Sequence, residues 1–124
     1  MKIPALLTVL LLGSLLAVAR AAEPAPEALA ASTKLLGAIT AGDYAAFVAD
    51  GDAAFKQLPQ AAFASVAAQL GPKFKAGVTP TYLGDLKQKG FDVTLWRLRF
   101  ADGSDDALAT LSLKNGKVGG YWIK

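Results

Sequence analysis

Asn115-Gly116 stands between two runs in which apolar and polar residues alternate, and no other pair of positions restricts the fold of this chain so sharply. A two-residue type I′ turn needs positive φ at both central residues, and Asn-Gly supplies that at little cost. The spacing predicts a tight hairpin with arms from Asp106 to Lys114 and from Lys117 to Ile123. Counting outward from the turn pairs Leu113 with Val118, Leu111 with Gly120 and Ala109 with Trp122 on one face. Thr110, Ser112, Tyr121 and Ile123 fall on the other.

Two more strands precede this hairpin, Val78 to Lys87 and Phe91 to Ala101, rich in Val, Thr, Leu, Trp and Tyr and separated by turn residues. The Asp102-Gly103 turn closes with two or four loop residues, and either length keeps the parity of the side chains. Trp96, Leu98, Phe100, Leu111, Leu113, Val118 and Trp122 then form one apolar face that other elements must cover. Arg97, Arg99, Thr110, Ser112 and Tyr121 share the opposite face with Val93, Leu95 and Ile123. Gln88-Lys89-Gly90 closes the first turn with two or three residues, so Tyr82 is left facing either core or solvent.

The cover comes from the first half of the mature chain. Leu29, Leu35, Leu36 and Ile39 mark one side of a helix from about Ala28 to Ala41, ended by Gly42. Asp43 is placed to cap a second helix carrying Tyr44, Phe47 and Val48, with Asp50-Gly51-Asp52 as a kink before Ala53 to Leu58 and with Phe55 inward. Pro59 suits the first turn of a third helix bearing Phe63, Val66, Ala67 and Leu70, with Gly71-Pro72 as its stop. The fold class expected is α+β, three N-terminal helices packed on a curved four-stranded antiparallel meander.

Ahead of these lies Lys2, the apolar run Ile3 to Val18, and Ala19-Arg20-Ala21-Ala22, in the order of a secretory signal. The run is interrupted by Pro4 and Gly13 and is shorter than the ~20 residues of a spanning helix. Residues 1–21 are read as a cleaved signal, 22–27 as a Pro/Ala linker and 28–124 as one domain, exported to a bacterial periplasm or beyond it, with no stable membrane span after cleavage. Loss of Lys2 and Arg20 takes the 13 basic groups to 11 against 10 acidic ones. A nearly neutral domain lacks the basic footprint of a nucleic-acid binder, and Lys73, Lys75, Lys87 and Lys89 read as a solvated rim.

The chain has no Cys and no His. That removes disulfides, thiolate nucleophiles, imidazole bases, Ser-His-Asp triads and zinc sites built on sulfur or imidazole. Neither a metal nor another cofactor is expected. Asp50 and Asp52 could serve as a general base beside Tyr82 as the acid, but Asp and Gly are also the residues that break and cap helices, and the capping role is the stronger reading. Tyr121, Arg97, Arg99, Leu95 and Ile123 form the candidate ligand or partner face, since arginine and tyrosine are enriched where proteins meet.

The stretches GDYAAFVADGDAAF, FASVAAQLGP and YLGDLKQKGFDVTLWRLRFADG, with the closing GYWI, resemble the small exported bacterial domains of the nuclear-transport-factor-2-like (cystatin-like, SnoaL-like cone) superfamily. The resemblance implies a helix-capped sheet with a pocket on its concave side, in a group holding isomerases, cyclases, dehydratases and non-catalytic binding modules. Its catalytic members commonly place an Asp-His or Asp-Tyr pair in the cone, and the missing His departs from that pattern. The expectation is a non-catalytic module that holds a small apolar ligand in the cone or pairs with itself through the outer sheet face. The alternative is a small acid/base isomerase or dehydratase using Asp and Tyr.

Overall fold

The computed structural model describes residues 23–124, and the expected signal lies outside them. The chain is α+β, a four-stranded antiparallel sheet in the order β1-β2-β3-β4 preceded by helices. Helix α1 is Pro26–Ala41, α2 Tyr44–Val48 and α3 Gln60–Ala76, with a 3₁₀ turn at Phe55–Gln57. The strands are β1 Val78–Gln88, β2 Phe91–Phe100, β3 Ala107–Lys114 and β4 Lys117–Ile123. No helix among the described residues is long and apolar enough to cross a membrane.

α1 begins at Pro26, two residues before the expected start at Ala28, because proline fits a first turn whose N–H groups have no partner. Its buried stripe is Ala28, Ser32, Leu35, Leu36, Ala38 and Ile39, so Leu29 lies outside it and is half exposed. Gly42 closes α1 in the left-handed conformation, φ 67°. Asp43 caps α2 as expected, its carboxylate accepting from the Ala46 N–H at 3.0 Å.

Asp50-Gly51-Asp52 is not a kink within a helix. The Val118 N–H donates to the Asp50 carbonyl at 2.9 Å and the Asp52 N–H donates to the Val118 carbonyl at 2.8 Å, so the segment makes a single parallel β-bridge to the edge of β4. Nor does Gly71-Pro72 stop α3, which runs on to Ala76. An internal proline costs a helix about 3 kcal/mol. Here the extra turn buries Phe74, whose ring stacks on Phe100 at 5.9 Å and 16°, and burial of a Phe offsets a loss of that size.

Asn115 and Gly116 take φ of 52° and 74°, the predicted tight turn, and Lys89-Gly90 repeats it with 52° and 83°. That two-residue turn alone would set Tyr82 opposite Arg97; a bulge at Leu83, between Gly84↔Leu95 and Tyr82↔Trp96, turns it instead to Trp96 on the helix side, their rings edge to face at 5.5 Å. Trp96, Leu98, Phe100, Leu111, Leu113 and Val118 are all buried beneath the helices, as the alternation requires.

Trp122 departs from that set. The register slips by one between Leu113↔Val118 and Ser112↔Gly120, a bulge at Gly119, so that Leu111 faces Tyr121 and Ala109 faces Ile123. Every residue beyond the bulge therefore changes sides. Tyr121 and Ile123 point toward the helices and Trp122 stands on the outer face, 58% exposed. The cause is local: a Cβ on Gly119 would collide with the Phe91 ring and one on Gly120 with the Trp122 indole, so both rings occupy space that only glycine leaves free.

Candidate ligand-binding cleft

Beyond the slip, β4 borders a hollow on the helix side. A cleft of about 720 Å³ opens between α3, the 3₁₀ turn and the end of β4. Ile39, Phe47, Phe63, Leu70 and Phe100 form an apolar floor, and Leu58 and Val66 wall it. Val66, expected to face the core, is instead an exposed residue of α3 that meets this cleft. Phe55 is half-buried, as its inward reading expected, and packs on Phe47 with ring centroids 5.3 Å apart. The Tyr44 hydroxyl donates to the Leu58 carbonyl and fixes the wall to α2.

Gln57 and Gln69 line the cleft as exposed polar residues, and Tyr121 joins them from β4. The Tyr121 hydroxyl is buried and has no hydrogen-bond partner among the described residues, and its ring meets Phe47 edge to face at 6.3 Å. A buried hydroxyl without a partner costs about 1 to 3 kcal/mol. Burial raises the Tyr121 phenol well above its usual range, because an anion there would lose its hydration. It remains a neutral donor across the working range of pH.

Charged groups stay at the mouth. The Lys73 ammonium lies 5.4 Å from the centroid of the Phe100 ring and 3.5 Å from the Ser104 Oγ. Asp105 and Lys124 are exposed at the rim. Hydrogen bonds from the Ser104 hydroxyl and N–H hold the nearby Asp102 carboxyl below the usual carboxylate range and fix the β2–β3 loop.

The residues proposed for acid/base work do not converge. Asp50 pairs with Lys34 at 2.7 Å, and the Asp52 carboxylate accepts from the Phe55 N–H at 2.8 Å, capping the 3₁₀ turn. Tyr82 is on β1, the opposite edge of the sheet from the β4 edge that Asp50 and Asp52 flank, three strand spacings or roughly 14 Å away. Its hydroxyl is raised above the usual phenol range by desolvation first and then by Asp85. No group of acidic side chains among the described residues is placed to hold a metal ion.

The expected partner face is divided by the bulge. Leu95, Arg97 and Arg99 project outward as predicted, Arg99 pairing with Asp106 at 3.3 Å, while Tyr121 and Ile123 line the cleft instead. The Arg97 Nε is buried and without an acceptor among the described residues. Trp122, read from the sequence as core, joins the outer face with Phe91 and Val93 around a hollow of about 850 Å³. Adjacent Gly119-Gly120 was the sequence signal for this change, since a strand interior with two glycines is a common site of a bulge. A scan against protein-family models finds no match to this chain, and a search of characterised proteins finds none either.

Proposed function

We propose that this chain is a non-catalytic binding module that admits an apolar ligand with a hydrogen-bond acceptor into the cleft beside β4. The observation that carries the reading is an apolar hollow of about 720 Å³ with Tyr121 in its lining, whose buried hydroxyl has no partner among the described residues. Ligand pockets have this size and pattern, mostly apolar with a few polar groups that orient the guest. A ligand acceptor on Tyr121 removes the cost of the orphan donor. The resemblance to the cone superfamily supports the same assignment, with export to the periplasm or medium as its setting.

Prodan, a neutral naphthyl ketone, tests this. Wild-type protein is expected to bind it saturably with a blue shift in emission, and Tyr121→Phe to weaken binding about tenfold, one hydrogen bond's share of about 1.4 kcal/mol. Val66→Arg, which places a long side chain at the wall, reduces binding further. The same Tyr121→Phe raises unfolding stability by about 1 kcal/mol. Its advantage grows as pH rises past 10.0, where the unfolded tyrosine of the wild type ionises and the folded one does not. Absence of saturable prodan binding by the wild type removes the proposal.

A second reading, self-association through the outer sheet face, draws on the indole of Trp122 standing in the open with Leu83 and Leu86 also exposed. Trp122→Glu is then expected to convert a dimer to a monomer in size-exclusion chromatography with light scattering. A wild type that stays monomeric at millimolar concentration rules this reading out.

A further inference from the structure

We infer that the ligand of this cleft is an extended polypeptide segment, added as a strand along the free part of the β4 edge; this rests on the cleft being the binding site proposed above. Six consecutive residues, Gly119 to Lys124, line the hollow. Successive side chains of a strand point to opposite faces, so a hollow touching all of them lies against the strand's edge, not against one face. β4 is an outermost strand of the sheet.

The backbone groups on that edge follow from the ladder. Leu108 and Lys124 exchange both of their backbone hydrogen bonds, at 2.8 and 3.0 Å. In an antiparallel pair such couples alternate with residues whose N–H and C=O turn away from the partner strand. Ile123 and Tyr121 are those residues, and they turn toward the cleft. Two donors and two acceptors thus repeat at roughly 7 Å along its length, the spacing of alternate residues in an extended chain.

The protein already uses the same edge in this way. At Val118, Asp50 and Asp52 supply the matching carbonyl and N–H of a parallel β-bridge. Past Asp52 the chain leaves for the 3₁₀ turn, and among the described residues the edge beside Tyr121 and Ile123 stays open. A segment bound there continues the line that Asp50–Asp52 begins, with inward side chains on the floor near Phe47 and Phe63. α3 and the 3₁₀ turn wall the far side, which admits one strand and excludes the sheet of a second copy. A small ketone or a lipid chain satisfies at most one or two of the edge groups; a polypeptide satisfies all of them.

The test is fluorescence anisotropy with a labelled, end-blocked hexapeptide of alternating valine and threonine carrying a lysine at each end, titrated with the full chain. Two further peptides are N-methylated at every second amide, one in each phase. The unmodified peptide is expected to bind saturably, and one methylated phase to lose at least tenfold in affinity. Ile123→Pro deletes an edge donor that the β3–β4 ladder does not use, a position where proline is tolerated. It is expected to weaken binding at least tenfold, and at least threefold more than Ile123→Val, which keeps the N–H and all but one carbon of the side chain. Equal binding by all three peptides, or Ile123→Pro matching Ile123→Val, overturns the inference. Saturable prodan binding with no peptide binding refutes the strand and leaves the apolar site standing; loss of both refutes both. Peptide excluded by a concentration-dependent doubling of mass also overturns it, in favour of a second copy at the edge.

Discussion

Trp96→Ala is expected to lower the free energy of unfolding by about 3 to 5 kcal/mol, and Trp122→Ala by about 1 kcal/mol or less. Trp96 is 2% exposed, its indole N–H donates to the Thr94 Oγ1 at 2.9 Å, and Tyr82 closes over it. Truncation leaves a large cavity and a stranded Thr94 hydroxyl beneath the helices. Trp122 has the same side chain at an equivalent place in the alternating pattern, yet its ring lies across Gly120 in the open. Removing it uncovers a piece of backbone and one cross-strand contact with Thr110. Urea unfolding with unchanged slopes measures both values on one scale. A Trp122→Ala loss as large as that of Trp96→Ala would mean that the bulge at Gly119 is absent and that Tyr121 faces outward, away from the cleft.

These two tryptophans also mark how far the sequence could be read. Period-two alternation placed Trp96, Leu98, Phe100, Leu111, Leu113 and Val118 correctly, because six residues in three strands agree on one buried face. It misplaced Tyr121, Trp122 and Ile123, because one inserted residue inverts everything after it and leaves the local alternation intact. Asp50-Gly51-Asp52 reads locally as a helix break; its role as a β-bridge depends on Val118, a partner distant in sequence that no local rule can supply. Pro72 fails for the opposite reason, a strong local stop signal overridden by the burial of Phe74 against Phe100. Tyr121 was legible as a residue to single out, but not as a cleft residue, since its face is decided by the same bulge. The cleft thus lies where local reading stops working, at the glycine pair that re-aims the last strand.

Gly77→Ala is the second large effect, an expected loss of about 2 to 4 kcal/mol from strain and overpacking together. Gly77 joins α3 to β1 at φ 129° and ψ 127°, a conformation that side chains with a Cβ rarely adopt. The methyl would also stand 2.9 Å from the Ala101 Cβ. The junction cannot shift freely to relieve either, because the Gly77 N–H donates to the Phe74 carbonyl at 3.1 Å and the Gly77 carbonyl accepts from the Ala101 N–H at 2.9 Å. Phe74 and Phe100, stacked on either side of it, tie the helical half to the sheet. Gly37→Ala supplies the contrast: its Cβ meets nothing within 4 Å in the middle of α1, so better helix propensity raises stability by about 0.5 to 1 kcal/mol. Adding Ala101→Gly to Gly77→Ala separates the two causes, since it relieves the methyl contact and leaves the backbone strain. Partial recovery, larger than the effect of Ala101→Gly alone predicts, is the expected coupling in a double-mutant cycle. Full recovery would assign the loss to crowding only, and a Gly77→Ala protein as stable as wild type would show that α3 does not enter β1 through this conformation.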